Sequence, residues 1–151
     1  MVVQEEFVER AHRIVWCTVA TAGPDGRPRS RILHPIWEYE DGLTGWIVTR
    51  RTPVKTRHLA HAPYLSCSYW EPGHDLAVAD CEAEWVDDAA TRQRVWELYR
   101  DAPPPLGYDF WAVFPDGPAG ESPALLQLTP YRLRLTDVDT LSGRKPPSVW
   151  P

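Results

Sequence analysis

Residues 14–49 alternate short runs rich in β-branched and aromatic side chains with compact turns. The first run, 14–20 (Ile-Val-Trp-Cys-Thr-Val-Ala), is too short for a typical helix and reads as a buried strand. Gly23-Pro24-Asp25-Gly26 has the composition of a turn, so a hairpin partner is expected after it. Residues 27–39 supply that partner, with Pro35 marking an edge or a bulge. A second turn at Glu40-Asp41-Gly42 leads to a third strand over 45–49. Three consecutive antiparallel strands joined by tight turns form a meander, the usual start of a small barrel.

The rest of the chain fits that frame. Phe7, Val8 and Ala11 recur at helical spacing among charges, predicting a short amphipathic helix over 5–13. Thr52 is a good N-cap and Pro53 a good first helical residue, so a helix is expected from 53 to about 61, stopping before Pro63. Strands are expected at 64–70 and 75–86, then a helix capped by Asp87 or Asp88 and ended by the prolines at 103–105. Residues 107–123 are aromatic and then loop-like, suiting either a lid over a pocket or a partner-contact loop. Two final strands are expected at 124–129 and 131–136. About seven strands with one short and two longer helices make the fold mainly β with helical additions, a single domain over 1–137. Residues 138–151 read as a polar, Pro-rich tail, loosely held, with Trp150 the reason to expect docking.

Charge points to the ligand class. The chain carries a formal net charge of -5, yet seven of its 16 Lys and Arg residues fall between Arg27 and Arg57, against only Glu38, Glu40 and Asp41. A basic island in an acidic chain suggests a small anionic ligand. It is too compact for the broad basic face that nucleic acid requires, so no nucleic-acid partner is expected. No apolar run is long enough to span a membrane and the first ten residues are acidic where a signal peptide would be basic, so the expected address is cytoplasmic, with no membrane partner. Cys17, Cys67 and Cys81 are widely spaced and read as buried reduced thiols. His58 and His61 stand at i, i+3 on the second helix but lack clustered Cys or carboxylate partners, so they read as solvated helix histidines and no metal site is expected.

The island has an expected geometry. Alternation puts Arg29 and Arg31 on one strand face, roughly 7 Å apart. Lys55 falls in the first turn of its helix, a poor match to the helix dipole unless an anion sits there.

In order and spacing, Gly26-Arg27-Pro28-Arg29-Ser30-Arg31-Ile32-Leu33, the strand ending in Thr49, the helix start Pro53-Val54-Lys55 and the strand ending at Trp70 resemble the pyridoxamine 5'-phosphate oxidase-like family, the FMN-binding split barrels. The resemblance implies a split antiparallel β-barrel of about six to seven strands with short flanking helices. It implies Arg31 and Lys55 as phosphate ligands, a hydroxyl from Thr49 and the backbone of Ile32, Leu33 and His34 along the ring system. Val48, Val54 and Trp70 complete the implied cofactor-binding set. His34, Trp37, Tyr69 and Trp70 are candidates for lining the pocket, against core packing as the default for any one tryptophan. The implied cofactor is FMN, with a deazaflavin coenzyme as the alternative, its longer anionic tail served by Arg50, Arg51 and Arg57. The implied assembly is a homodimer with the cofactor at its interface. The implied activity is hydride transfer to or from a small organic substrate, against a deazaflavin-dependent reductase or a non-catalytic flavin- or haem-binding module. Two departures separate the chain from the oxidases proper: Val54 stands where they often have a second basic residue, and no C-terminal Arg-x-His element is present. Vitamin B6 oxidation is therefore not expected.

Overall fold

The computed structural model describes all residues, 1–151. Eight strands form one antiparallel sheet: β1 (Cys17–Ala22), β2 (Pro28–Leu33), β3 (Ile36–Tyr39), β4 (Leu43–Thr49), β5 (Tyr64–Trp70), β6 (Leu76–Val86), β7 (Ala124–Thr136) and β8 (Ser148–Trp150). Four helices accompany it: α1 (Val3–Ile14), α2 (Pro53–His61), α3 (Ala89–Asp101) and α4 (Val138–Leu141). No helix is long and apolar enough to cross a membrane.

The expected meander is corrected. Residues 27–39 form two strands, not one, because Pro35 has no N–H for a ladder and the alternation ends there: His34, Pro35, Ile36 and Trp37 are all buried in succession. β2 pairs with β1, and β3 pairs with β4. The strand order is β2-β1-β5-β6-β7-β4-β3, so the two strands flanking His34-Pro35 are the two edges of the sheet. A two-residue link reaches only about 10 Å. The sheet must therefore curl until its edges nearly meet, and since β2 and β3 do not pair, the result is a barrel split along that seam.

The barrel interior is filled by Phe7, Trp37, Tyr69, Ile47, Leu126, Leu128 and their neighbours. Phe7 and Ala11 of α1 are fully buried, with Phe7 edge-on to Trp37 at 4.9 Å. Trp37 Nε1 donates to Tyr69 Oη at 2.9 Å, which satisfies the one polar atom the indole brings inside. Trp37 and Tyr69 are thus core residues and not pocket walls. Cys17, Cys67 and Cys81 are free, buried thiols of the same core. Gly45 lies opposite Trp37 in the β3–β4 ladder, and a Cβ there would stand 2.5 Å from the indole ring. Gly45→Ala is expected to cost about 1–3 kcal/mol by overpacking; chemical denaturation giving wild-type stability would contradict that packing.

A second cluster lies outside the barrel, where Val95, Trp96 and Tyr99 of α3 meet Trp46, Leu106, Phe110 and Phe114. The 107–123 segment is therefore not a free lid: a short 3-10 turn, Phe110–Ala112, seats its aromatic residues on α3. Arg92 of α3 donates to the carbonyls of Gly120 and Pro123 and ties down the far end of the segment.

The two expected C-terminal strands are one, β7, with a register shift: Asp80 faces Arg132 while Cys81 faces Pro130, leaving Tyr131 as the extra residue of a bulge. The 138–151 segment holds α4 and β8, and β8 pairs with β7 from Leu133 to Leu135, bringing Trp150 against the core. These two corrections, with the split of 27–39, give eight strands.

Candidate functional site

Beside the seam, β2, the end of β4, the start of α2 and the 108–114 segment enclose a groove of about 420 Å³. That volume lies within the range of small-molecule sites. Its lining includes Arg31, Ile32, Leu33, Val48, Thr49 and Lys55, six of the nine residues expected to bind a cofactor.

The polar end is built locally. α2 starts at Pro53 with Thr52 as N-cap, as the sequence predicts, and Lys55 sits in its first turn. The lysine folds back over the end of β4, where Nζ donates to Thr49 Oγ1 at 2.7 Å and to the Arg50 carbonyl at 2.9 Å. Lys55 and Thr49 are both buried. From β2, Arg31 Nη1 donates to Thr21 Oγ1 at 2.8 Å and to the Val19 carbonyl at 3.2 Å. None of the chain's ion pairs includes Arg31 or Lys55, so these two cations share one concavity, with Arg50 also in its lining and no carboxylate among them. Burial, then the charge of Arg31, pulls the Lys55 ammonium down to about 8. Burial, then the charge of Arg29, also lowers Arg31. This is a destabilised arrangement that an anion would relieve.

A hydroxyl donor completes the grip. Thr49 Oγ1 accepts from Lys55 and makes no other hydrogen bond within the chain, which leaves its proton for a ligand. Thr52 also lines the groove, and its side chain does not cap α2, so a second hydroxyl is free there. Sequence reasoning assigned Thr52 to capping and missed this role; the Thr-Pro helix start is the same signal for both.

The opposite wall is apolar: Ile32, Leu33 and Val48 with Val113, Phe114 and Tyr108. The last three come from the aromatic segment, whose composition alone does not reveal the surface it covers. Tyr108 makes no hydrogen bond through its hydroxyl, and burial pushes its phenol up to about 12, so it stays a protonated donor at neutral pH.

Three expected residues lie elsewhere. His34 is buried behind the groove, its Nε2 against the Leu106 carbonyl at 3.2 Å and its own carbonyl accepting from Tyr99 Oη at 2.8 Å. Its ring stands 4.7 Å from both Trp16 and Tyr108, so it braces the seam and takes no place in the lining. Val54 is half-buried on α2 and does not line the groove. Trp70 is exposed at the far end of β5 beside His74, outside the groove of its own chain. Of the three arginines considered for a longer anionic tail, Arg50 donates to the Val113 carbonyl and covers Phe114, and Arg51 pairs with Asp87 and covers Trp85. Only Arg57 keeps no such partner. His58 is not solvated either: it is buried, with Nδ1 2.9 Å from Thr21 Oγ1.

The pKa of Lys55 gives a stability signature. Its value near 8 lies below the ordinary 10.5, so above pH 8 and up to about 10.5 the unfolded chain holds more protons at this site than the folded one. The ligand-free protein is thus expected to gain stability relative to Lys55→Met as pH rises from 8 to 10. Thermal melts of the two proteins at each pH measure that difference, and a difference independent of pH would contradict the buried-cation geometry.

The split barrel thus carries a groove that is basic and hydroxyl-lined at one end and apolar along its wall, a chemistry suited to a small anionic ligand with a flat or apolar body. The family described as Pyridoxamine 5'-phosphate oxidase matches residues 3–137, nearly the whole barrel, and the chain belongs to that family. Solved structures agree on the fold. A Clostridium acetobutylicum protein related to general stress protein 26 of B. subtilis superposes with a TM-score of 0.75 at 13% identity, covering 97% of this chain and 92% of that one. A NimC/NimA family protein of Clostridium acetobutylicum gives 0.69 at 17% identity, covering 97% and 91%. A pyridoxamine 5'-phosphate oxidase-related, FMN-binding protein of Nostoc punctiforme gives 0.65 at 18% identity, covering 97% and 86%. No curated protein matches the sequence.

Proposed function

We propose that the groove binds FMN and that the protein is an FMN-dependent oxidoreductase acting by hydride transfer on a small organic substrate. The observation that carries this reading is the pair Arg31 and Lys55, two cations without carboxylates beside two free hydroxyls, facing a wall of apolar side chains. The FMN-binding relative from Nostoc punctiforme supports the choice of ligand. Lys55, Arg31, Thr49 and Thr52 would hold the phosphate, and Ile32, Leu33 and Val48 would lie along the ring.

When bound, the flavin ring supplies the hydride chemistry, and the protein supplies position and electrostatics. The cations fix the phosphate end. Val113 and Phe114 exclude water from one side, and the Tyr108 hydroxyl, protonated and unpartnered, offers a hydrogen bond to a bound carbonyl or nitro oxygen. FMN is favoured over a deazaflavin coenzyme by the FMN-binding relative, and of the three arginines available for a longer anionic tail only Arg50 lines the groove.

The reading includes a homodimer with the cofactor at its interface. Ile32 is 61% exposed and Trp70 56% exposed, which suits residues that a second copy covers. Sedimentation analysis should give twice the 17.2 kDa chain mass. For the activity, the test is to saturate the protein with FMN, reduce it with a nicotinamide dinucleotide and follow reoxidation by a panel of quinones, nitroaromatics and enones. Reoxidation faster than in the protein-free control supports an enzyme; FMN binding with no substrate-dependent reoxidation would leave a flavin carrier in its place.

A further inference from the structure

A second basic concavity, separate from the cofactor groove, lies between the turn joining β1 to β2 and the outer side of α2. It measures about 280 Å³, and its lining comprises Asp25, Arg27, Arg29, Arg57 and His58, with Pro24 the one apolar side chain. Asp25 is committed to its own turn, accepting from the Arg27 backbone N–H at 3.0 Å and standing 4.0 Å from the Arg27 guanidinium. Arg29 and Arg57 have no carboxylate partner in the chain.

His58 distinguishes this cleft from an ordinary basic surface. It is 4% exposed and lines the cleft, yet Nε2 has no hydrogen-bond partner within the chain; it lies beside Gly23, where a Cβ would stand 2.7 Å from Nε2 and 3.3 Å from Asp25 Oδ1. The other nitrogen is fixed. Arg31 fills one lone pair of Thr21 Oγ1, and His58 Nδ1 is the only acceptor within reach of the buried hydroxyl proton, so acceptance by Nδ1 is the arrangement that leaves that proton paired. Nδ1 is therefore the acceptor, and Nε2 carries the hydrogen. With two guanidinium groups that have no carboxylate partner beside His58, donors outnumber the one acceptor of the cleft, the Asp25 carboxylate, which its own turn already engages.

We infer that this cleft is a second oxyanion site, which takes a phosphate or carboxylate group on the N–H of His58 between Arg29 and Arg57. The site stands whether or not a flavin fills the groove, because none of its lining residues belongs to the groove. Its anion is either free or the acidic end of a larger ligand, and the chemistry of recognition is the same for both.

The test uses FMN-saturated protein, so that the groove is filled, with inorganic phosphate and succinate as probes and the ring signals of His58 followed by NMR. A Lys55→Met protein without FMN serves as the parallel arm, so loss of FMN binding does not remove the measurement. Saturable shifts of His58 with either probe are expected in both arms, with affinity falling about tenfold in Arg57→Ser. Gly23→Ala should weaken the shift by placing a methyl against Nε2. Shifts linear in probe concentration, or affinity unchanged in Arg57→Ser with the fold intact by circular dichroism, would overturn the site. A free anion is the source if phosphate binds as tightly as phosphate esters and longer dicarboxylates; tighter binding of the longer ligands assigns the cleft to their acidic ends.

Discussion

Lys55→Glu is expected to weaken FMN binding by at least about 100-fold, and Arg31→Glu by a comparable factor. Each change removes a cation from a partly desolvated pair and puts a carboxylate where the phosphate would sit, and a change of that kind costs about 2–5 kcal/mol or more. The loss should exceed simple neutralisation in Lys55→Met, because the glutamate adds repulsion. Arg144→Glu is the control: its guanidinium is exposed and pairs with Asp139 on α4, remote in the fold from the groove. Fluorescence titration of FMN against the wild type and the four variants decides the matter. Equal affinities across them would remove the phosphate assignment.

Tyr99→Ala is expected to have the largest effect on stability, about 3–5 kcal/mol. Tyr99 is 1% exposed, and its hydroxyl lies 2.8 Å from the His34 carbonyl and 2.9 Å from that of Trp46. It fastens α3 to the seam at the point where the sheet turns from β2 into β3. Tyr99→Phe keeps the ring and leaves both carbonyls without this donor, at about 1–3 kcal/mol. Denaturant unfolding should rank wild type above Phe and Phe above Ala. The Phe variant should also loosen FMN binding, because Leu33 and Ile32 directly precede the carbonyl that Tyr99 holds. A Phe variant as stable as wild type would mean that the hydroxyl does not pin the seam.

The parts of the site that the sequence shows are those made by neighbours along the chain. Thr52 and Pro53 mark a helix start by residue type, although the Thr52 side chain makes no capping hydrogen bond, and the lysine in that first turn suggests an anion before any fold is known. Arg31 is legible for a related reason: its strand follows a turn with an unambiguous composition. The errors lie where distance along the chain and distance in space part. Alternation runs smoothly enough through 27–39 to read as one strand, but Pro35 ends the ladder and sends β3 to the opposite edge of the sheet. No local pattern says that β4 pairs with β7, and that pairing sets Val48 and Thr49 opposite β2 across the groove. His34 has the residue type of a ligand group and the burial of a core residue, and only the fold separates the two. Val113, Phe114 and Tyr108 supply half of the apolar wall from a segment whose aromatic content gives no direction. Trp70 lies outside the groove of its own chain, and a role in binding for it depends on the second copy.

The claim that unites these observations is that the groove recognises a phosphate. Riboflavin carries the same ring system as FMN and lacks that group. The most direct measurement is therefore the affinity of the purified protein for FMN and for riboflavin, by fluorescence quenching at one ionic strength, repeated with Lys55→Met. FMN should bind at least about tenfold more tightly than riboflavin in the wild type, and the difference should largely vanish in the variant. Equal affinity for the two flavins in the wild type would contradict the account.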